Sequence, residues 1–372
     1  TISSGSLYSA GYAITVGGNW NTDGGTFTHG NNTVTFDGTS AQTLNPGSNS
    51  FYNLTIDNGS AGGVELINDL TIGSGGTLLI NAGKLLDLHA MALSMSGATF
   101  TNYGTLQLQG GETLTGFTND TAHAGTIKYT GTSSYTGLKA GNNYANLTLA
   151  SIGSGSWALN AALDVNNTLT ISAGTLNAAG YAINIAENWT NTGGTFTHGN
   201  NTVTFDGASA GNTITSNSSP FYNLIFNGSG GTWEVKDALT VANDLTMTAG
   251  TLLGSYDVTV NGGDVTTGAG NGVISLTDGT FTLKEDGSFG GSANWTFYNL
   301  TFGDGTNARA TTKAGTNTIT ILGVLNVANN HTLLAGSSTW NISWAVGNEP
   351  LTNISKVVAG YWHTVALKED GT

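Results

Sequence analysis

The sequence contains no cysteine, which excludes disulfide staples and thiolate metal sites. Only three of its 372 residues are proline. Charged residues make up 9%, against ~25% in an ordinary globular chain. Basic residues are the scarcest: Lys and Arg total 9 against 23 Asp and Glu, the formal net charge is −14, and Arg309 is the sole arginine. A nucleic-acid surface needs clustered Lys and Arg to displace counterions, so the balance argues against nucleic acid as a partner. No apolar run approaches membrane-spanning length, and no stretch keeps a helical period for three turns. The chain begins without methionine or a signal segment and starts and stops in mid-pattern, which predicts that it is part of a longer precursor.

What is abundant is glycine, 56 residues, together with Thr, Asn and Ser. Hydrophobic residues still reach 38%, many β-branched or aromatic, which is not the composition of a disordered chain. The text repeats. Ala179-Gly180-Tyr181-Ala182-Ile183, Asn188-Trp189, Thr195-Phe196-Thr197-His198-Gly199 and Thr202-Val203-Thr204-Phe205-Asp206-Gly207 nearly duplicate the stretch from Ala10, 169 residues earlier. A shorter period appears when an aromatic quartet serves as a ruler. Phe51-Tyr52-Asn53-Leu54 recurs as Tyr144-Ala145-Asn146-Leu147, Phe221-Tyr222-Asn223-Leu224 and Phe297-Tyr298-Asn299-Leu300, at spacings of 93, 77 and 76. Trp157 and Trp233, Ala162-Leu163 and Ala238-Leu239, and Ala173-Gly174-Thr175-Leu176 and Ala249-Gly250-Thr251-Leu252 share the 76-residue register.

Within a unit, segments such as Leu169-Thr170-Ile171, Val203-Thr204-Phe205, Val258-Thr259-Val260 and Ile319-Thr320-Ile321 alternate apolar and polar and are separated by Gly, Asn and Asp corners. That is the signature of short strands with one buried face. β-Sandwich strands are longer and hairpin-paired. The pattern predicts an all-β fold, an elongated parallel β-helix (β-solenoid) built from internal repeats of about 76 residues. Coils of roughly twenty residues would make each repeat three or four coils, with Leu, Ile and Val ladders inside and Thr, Ser and Asn outside. The pattern is loosest over Gly111 to Tyr129. The repetitive body is expected over 1–343, with a divergent end at 344–372.

The body resembles the repetitive β-helical passenger regions of secreted bacterial adhesins, of the filamentous-haemagglutinin and autotransporter type. The residues that carry the likeness are Gly18-Asn19-Trp20, the Thr-Val-Thr-Phe-Asp-Gly elements at Thr33 to Gly38 and Thr202 to Gly207, and the aromatic quartets. The run from Ile354 through Ala359-Gly360, His363-Thr364-Val365-Ala366-Leu367 and Asp370-Gly371-Thr372 resembles the start of a regulator-of-chromosome-condensation-like propeller repeat. The end is accordingly expected to be either such a repeat or an assembly segment. The resemblance implies an extracellular or cell-surface location.

No constellation demands catalysis. His29 and His198 lie in identical Phe-Thr-His-Gly-Asn contexts without a second ligand at metal spacing, so they read as corner residues. Asp37, Asp206 and Asp304 precede glycine and read as corners that cap backbone N–H groups. The Asn-x-Ser/Thr triplets at Asn53, Asn146, Asn188, Asn294 and Asn299 follow from composition. Arg309 stands alone near Asp304 and Lys313, and no cluster of Asp, Glu, Lys and His breaks the repeat. The recurring rings are Trp20, Phe51, Tyr52, Trp157, Trp189, Phe221, Tyr222, Trp233, Trp295, Phe297 and Tyr298. Burial at the corners of the coils is favoured for them, the alternative being a surface strip for glycan stacking or subunit packing. In Phe51-Tyr52 the two rings fall on opposite strand faces, so one of each pair is expected outside.

These features predict a structural surface protein, a rod, filament or adhesive stalk with no catalysis and no cofactor. Its expected partners are copies of itself or neighbouring surface proteins, and glycans. A carbohydrate-binding adhesin is the alternative, and a polysaccharide lyase or hydrolase on the same scaffold is the less favoured one. Ice or mineral binding through Thr-x-Thr pairs, at Thr26/Thr28, Thr33/Thr35, Thr202/Thr204, Thr246/Thr248 and Thr318/Thr320, requires such a pair in every coil at constant spacing, whereas the gaps in sequence are irregular.

Overall fold

The computed structural model describes residues 1–336 and 338–342, and the backbone of the strands Ile354–Ala359 and Thr364–Lys368. Among the described residues there is no helix, and short parallel strands stack into a β-solenoid of about 16 turns. The chain divides into two compact units, Thr1–Asn177 and Ala178–Thr372.

Each coil takes three strands. In the first unit one coil contains Thr26–Thr28, Thr33–Phe36 and Gln42–Asn45. Alternation places Val34 and Phe36 inside and Thr33 and Thr35 outside. Val34 pairs with Leu54, Leu54 with Leu78 and Leu78 with Phe100, so a column of apolar side chains runs up the inside of the second strands. The third strands build another, in which Leu86, Leu106, Ile127 and Leu147 are neighbours in turn. Because most strands pair with the coils before and after them, the ladder satisfies the backbone while the inward residues leave water.

The second unit repeats the plan. Leu239, Val258, Phe281, Leu300 and Leu325 follow one another along the first strands. Val203, Leu224, Leu245, Val265, Phe289 and Lys313 do so along the second. A lysine thus occupies an inward position whose preceding neighbours are all apolar. At the end of this unit Ile354–Ala359 pairs antiparallel with His331–Leu334 and with Thr364–Lys368. The rest of the divergent end, including Tyr361, Trp362 and His363, lies outside the described residues.

The 76-residue period is not a whole number of coils. Leu224 lies on the second strand of its coil, and Leu300, 76 residues on, lies on a first strand three coils and two strands later. The 93-residue spacing from Leu54 to Leu147 is four coils and one strand, so the extra residues extend the winding. Phe51-Tyr52 and Phe221-Tyr222, by contrast, occupy the same slot in their coils.

Gly111 to Gly125 departs from the plan in one place. The coil has a first strand, Leu114–Thr115, and a third, Thr126–Tyr129, but a loop where the second would be. The carboxylate of Asp120 takes the place of the missing strand, its Oδ2 accepting the Asn102 N–H at 2.8 Å.

Candidate functional site

The recurring rings form the interior of the coils. Trp157, Trp233, Trp295, Phe51, Phe221 and Phe297 are fully buried, and Trp20 and Trp189 nearly so. Trp189 meets Phe196 edge-on at 4.8 Å and Phe221 at 4.9 Å, and Trp20 meets Phe27 at 5.0 Å and Phe51 at 5.5 Å. Such ring pairs add to the burial of their area. Of the quartet rings only three tyrosines reach the surface: Tyr52 and Tyr222 are half-buried and Tyr298 is exposed, whereas Tyr144, in the phenylalanine slot of its quartet, is fully buried.

The two corner histidines pack against these tyrosines. His29 stacks on Tyr52 with ring centres 5.7 Å apart, and His198 lies over Tyr222 at 5.4 Å. Each Nδ1 accepts a backbone N–H, from Asn31 at 3.1 Å and from Asn200 at 3.0 Å. Those asparagines take left-handed φ values of 59° and 61°, which asparagine tolerates. The corner is thus rebuilt atom for atom in both units. No group of three or more His, Asp or Glu among the described residues is arranged to hold a metal.

The asparagine of the quartet clamps successive coils. The Oδ1 of Asn53 accepts the Thr77 N–H, that of Asn146 the Thr168 N–H, that of Asn223 the Asp244 N–H and that of Asn299 the Val324 N–H. The asparagines before tryptophan act alike, Asn19 on Thr43, Asn188 on Thr213 and Asn294 on Thr318. All five Asn-x-Ser/Thr asparagines singled out in the sequence make this bond. Asp304 is exposed and accepts both the N–H and the hydroxyl of Thr306, which hold its carboxyl below the usual range. Asp37 and Asp206 are exposed at the ends of their strands.

Arg309 does not stand alone. Its Nε is 2.6 Å from Glu285 and its Nη1 3.3 Å from Asp286, which also accepts the Ala310 N–H. These partners sit one coil earlier, which is why the linear sequence separates them. Beneath them lies a buried polar group. Thr311 and the Nε2 of His331 are 2.9 Å apart, and Lys313 Nζ reaches Ala314 O and Asn317 Oδ1, each at 2.5 Å. Burial brings the Lys313 ammonium down to about 8. Burial also lowers His331, against the opposing pull of Asp286, Asp304 and Glu285.

The loop that replaces a strand in the first unit borders an open cavity of about 400 Å³, lined by Met95, Phe100, Thr118, Asn119, Asp120 and neighbouring residues. Burial would raise the Asp120 carboxyl, but the Asn102 N–H, the His123 ring at 2.7 Å and the Ala122 N–H together hold it below its usual range. His123 packs against Tyr103 at 4.4 Å. The dyad completes the corner left by the missing strand.

One arrangement escaped the linear reading. One of the Thr-x-Thr pairs that look irregular along the chain, Thr33/Thr35, belongs to two rows of outward positions in the first unit. Thr15, Thr35 and Thr55 are consecutive neighbours on the outside of the second strands, continued by Leu79 and Thr101. Beside them run Thr33, Asn53, Thr77 and Thr99. The coils differ in length at their corners, so equal spacing in space is unequal spacing in sequence.

Comparison of the chain with protein-family models, with curated proteins and with solved structures finds no match.

Proposed function

We infer that the chain is an extracellular structural surface protein, a rod- or filament-forming stalk without catalysis, of the kind found in secreted bacterial adhesins. What supports the reading most directly is where the repeated residues are used. The recurrent rings fill the interior, and the recurrent asparagines bond one coil to the next. The features that recur are those that prolong a ladder, and the polar groups that interrupt it are engaged in local bonds. A ladder that presents the same outer positions coil after coil suits weak contacts that add along its length.

Electron microscopy of the purified full chain tests this. Rods, or fibres with this chain as the repeating subunit, are expected. Compact globular particles at all concentrations would overturn the reading. A glycan-binding adhesin is the second reading, favoured by the outward rings of Tyr52, Tyr222 and Tyr298. Binding of neutral oligosaccharides that Tyr52→Ala and Tyr222→Ala abolish would shift the weight to it.

A further inference from the structure

We propose that the outer face of the second strands in the first unit, centred on Thr35, Thr55 and Thr77, is a binding face for the ordered water of an ice surface. The inference goes beyond the structural role and stands whether or not the chain forms fibres.

The face is a two-dimensional array. One row is Thr15, Thr35, Thr55, Leu79 and Thr101, and the other is Thr33, Asn53, Thr77 and Thr99. Within a row, neighbours are one strand spacing apart, about 4.8 Å, and the two rows are separated by two residues of strand, about 6.6 Å. Every position of the array is half-buried or exposed. Between and beneath the rows Val34, Leu54 and Leu78 are fully buried, as are Phe36, Ile56 and Ile80, so the rows stand on a close-packed floor. Ladders of like side chains stacked in register are a setting in which a sheet stays flat instead of twisting.

Chemistry selects this face over its neighbour. Its nine positions carry seven threonines, one asparagine and one leucine, and no charge. The corresponding outward row of the third strands reads Thr43, Glu65, Asp87, Gln107 and Lys128. Charged groups hold their own hydration shells, which do not fit a lattice imposed from outside. A threonine offers a hydroxyl that both donates and accepts, beside a methyl that does neither, and both are fixed by a stiff χ1. A regular grid of such groups at strand spacing can hold water at repeating positions and merge with a growing crystal. Crystalline polysaccharide is the other lattice such a grid could meet. Flat sugar surfaces are met by aromatic rings, and none of these nine positions carries one.

The test uses the full chain in dilute buffer. Freezing and melting points are measured by nanolitre osmometry, with crystal habit observed in the gap. The expected result is a concentration-dependent separation of the two points with faceted crystals. Thr35→Tyr combined with Thr55→Tyr, both outward substitutions, should abolish it, while Lys128→Tyr on the charged face should retain it. Circular dichroism and urea unfolding establish that each variant is folded, and Thr35→Val with Thr55→Val serves if the tyrosines disturb it. No separation of the points for the unsubstituted chain overturns the proposal. So does a separation unaffected by both pairs of substitutions, and so does adsorption to crystalline chitin or cellulose without any effect on ice.

Discussion

Lys313 shows how far a single position can depart from its column. It follows Phe289 in a ladder of inward apolar residues, and its ammonium is held by Ala314 O and Asn317 Oδ1. The folded-state value of about 8 lies below the 10.5 of an unperturbed lysine. Between those values the unfolded chain keeps a proton that the folded chain has lost, so stability climbs as pH rises through that window. Lys313→Met removes the buried charge and leaves Asn317 Oδ1 with the Gly291 N–H at 2.9 Å. The variant is expected to be more stable than the parent by ~1–2 kcal/mol at pH 7, with the difference shrinking toward pH 10. Urea midpoints at the two pH values check both the sign and the convergence. The burial of this lysine could not be read from the linear chain, because Phe289, whose column it continues, lies a full coil away, as do the Glu285 and Asp286 partners of Arg309. That one ring of each Phe-Tyr pair faces out was legible, since period-two alternation assigns Phe51 and Tyr52 to opposite faces.

At the scale of the strand, the quartet is a joint as much as a packing motif. Its leucine enters the core, and its asparagine accepts an N–H from the coil that follows. Asn299→Ala leaves the Val324 N–H without its acceptor and is expected to lower unfolding stability by ~1–2 kcal/mol. Asn299→Asp keeps the acceptor and should recover most of the loss, as chemical denaturation of the three proteins will show. Strand type, coil length and the repeat were visible in composition and periodicity. The phase of the repeat was not. A 76-residue period looks like several whole coils until the register places Leu224 and Leu300 on different strands of theirs. The threonine rows were hidden for a related reason. Thr35 and Thr55 are separated by 20 residues, but Asn53 and Thr77 by 24, so the lines exist only after the corners have taken up the difference.

For the molecule as a whole, the governing fact is that a coil touches mainly its immediate neighbours. Stability then resembles a sum over coils and the interfaces between them, not a property of one central core. Phe221→Ala, which opens the Trp189, Phe196 and Phe221 cluster, is expected to cost about 3–5 kcal/mol locally. Its effect on amide hydrogen exchange should be confined to the strands around Phe196 to Leu245. The amides of Leu54 to Ile80 should exchange as in the parent, and uniform acceleration along the chain would contradict the nearest-neighbour picture.

The fractional winding of the shorter repeat bears on how such a gene can change. Unequal crossing-over between the copies at Phe221 and Phe297 would excise 76 codons and rejoin a second strand to the sequel of a first. Every downstream strand would then turn by one third of a circuit, and each outward row would continue on the adjacent face. Exchange between the 169-residue copies joins like slot to like slot and leaves the rows unbroken. A chain that lost the shorter block would therefore shuffle its surfaces while keeping its interior, and one that exchanged the longer block would inherit both intact.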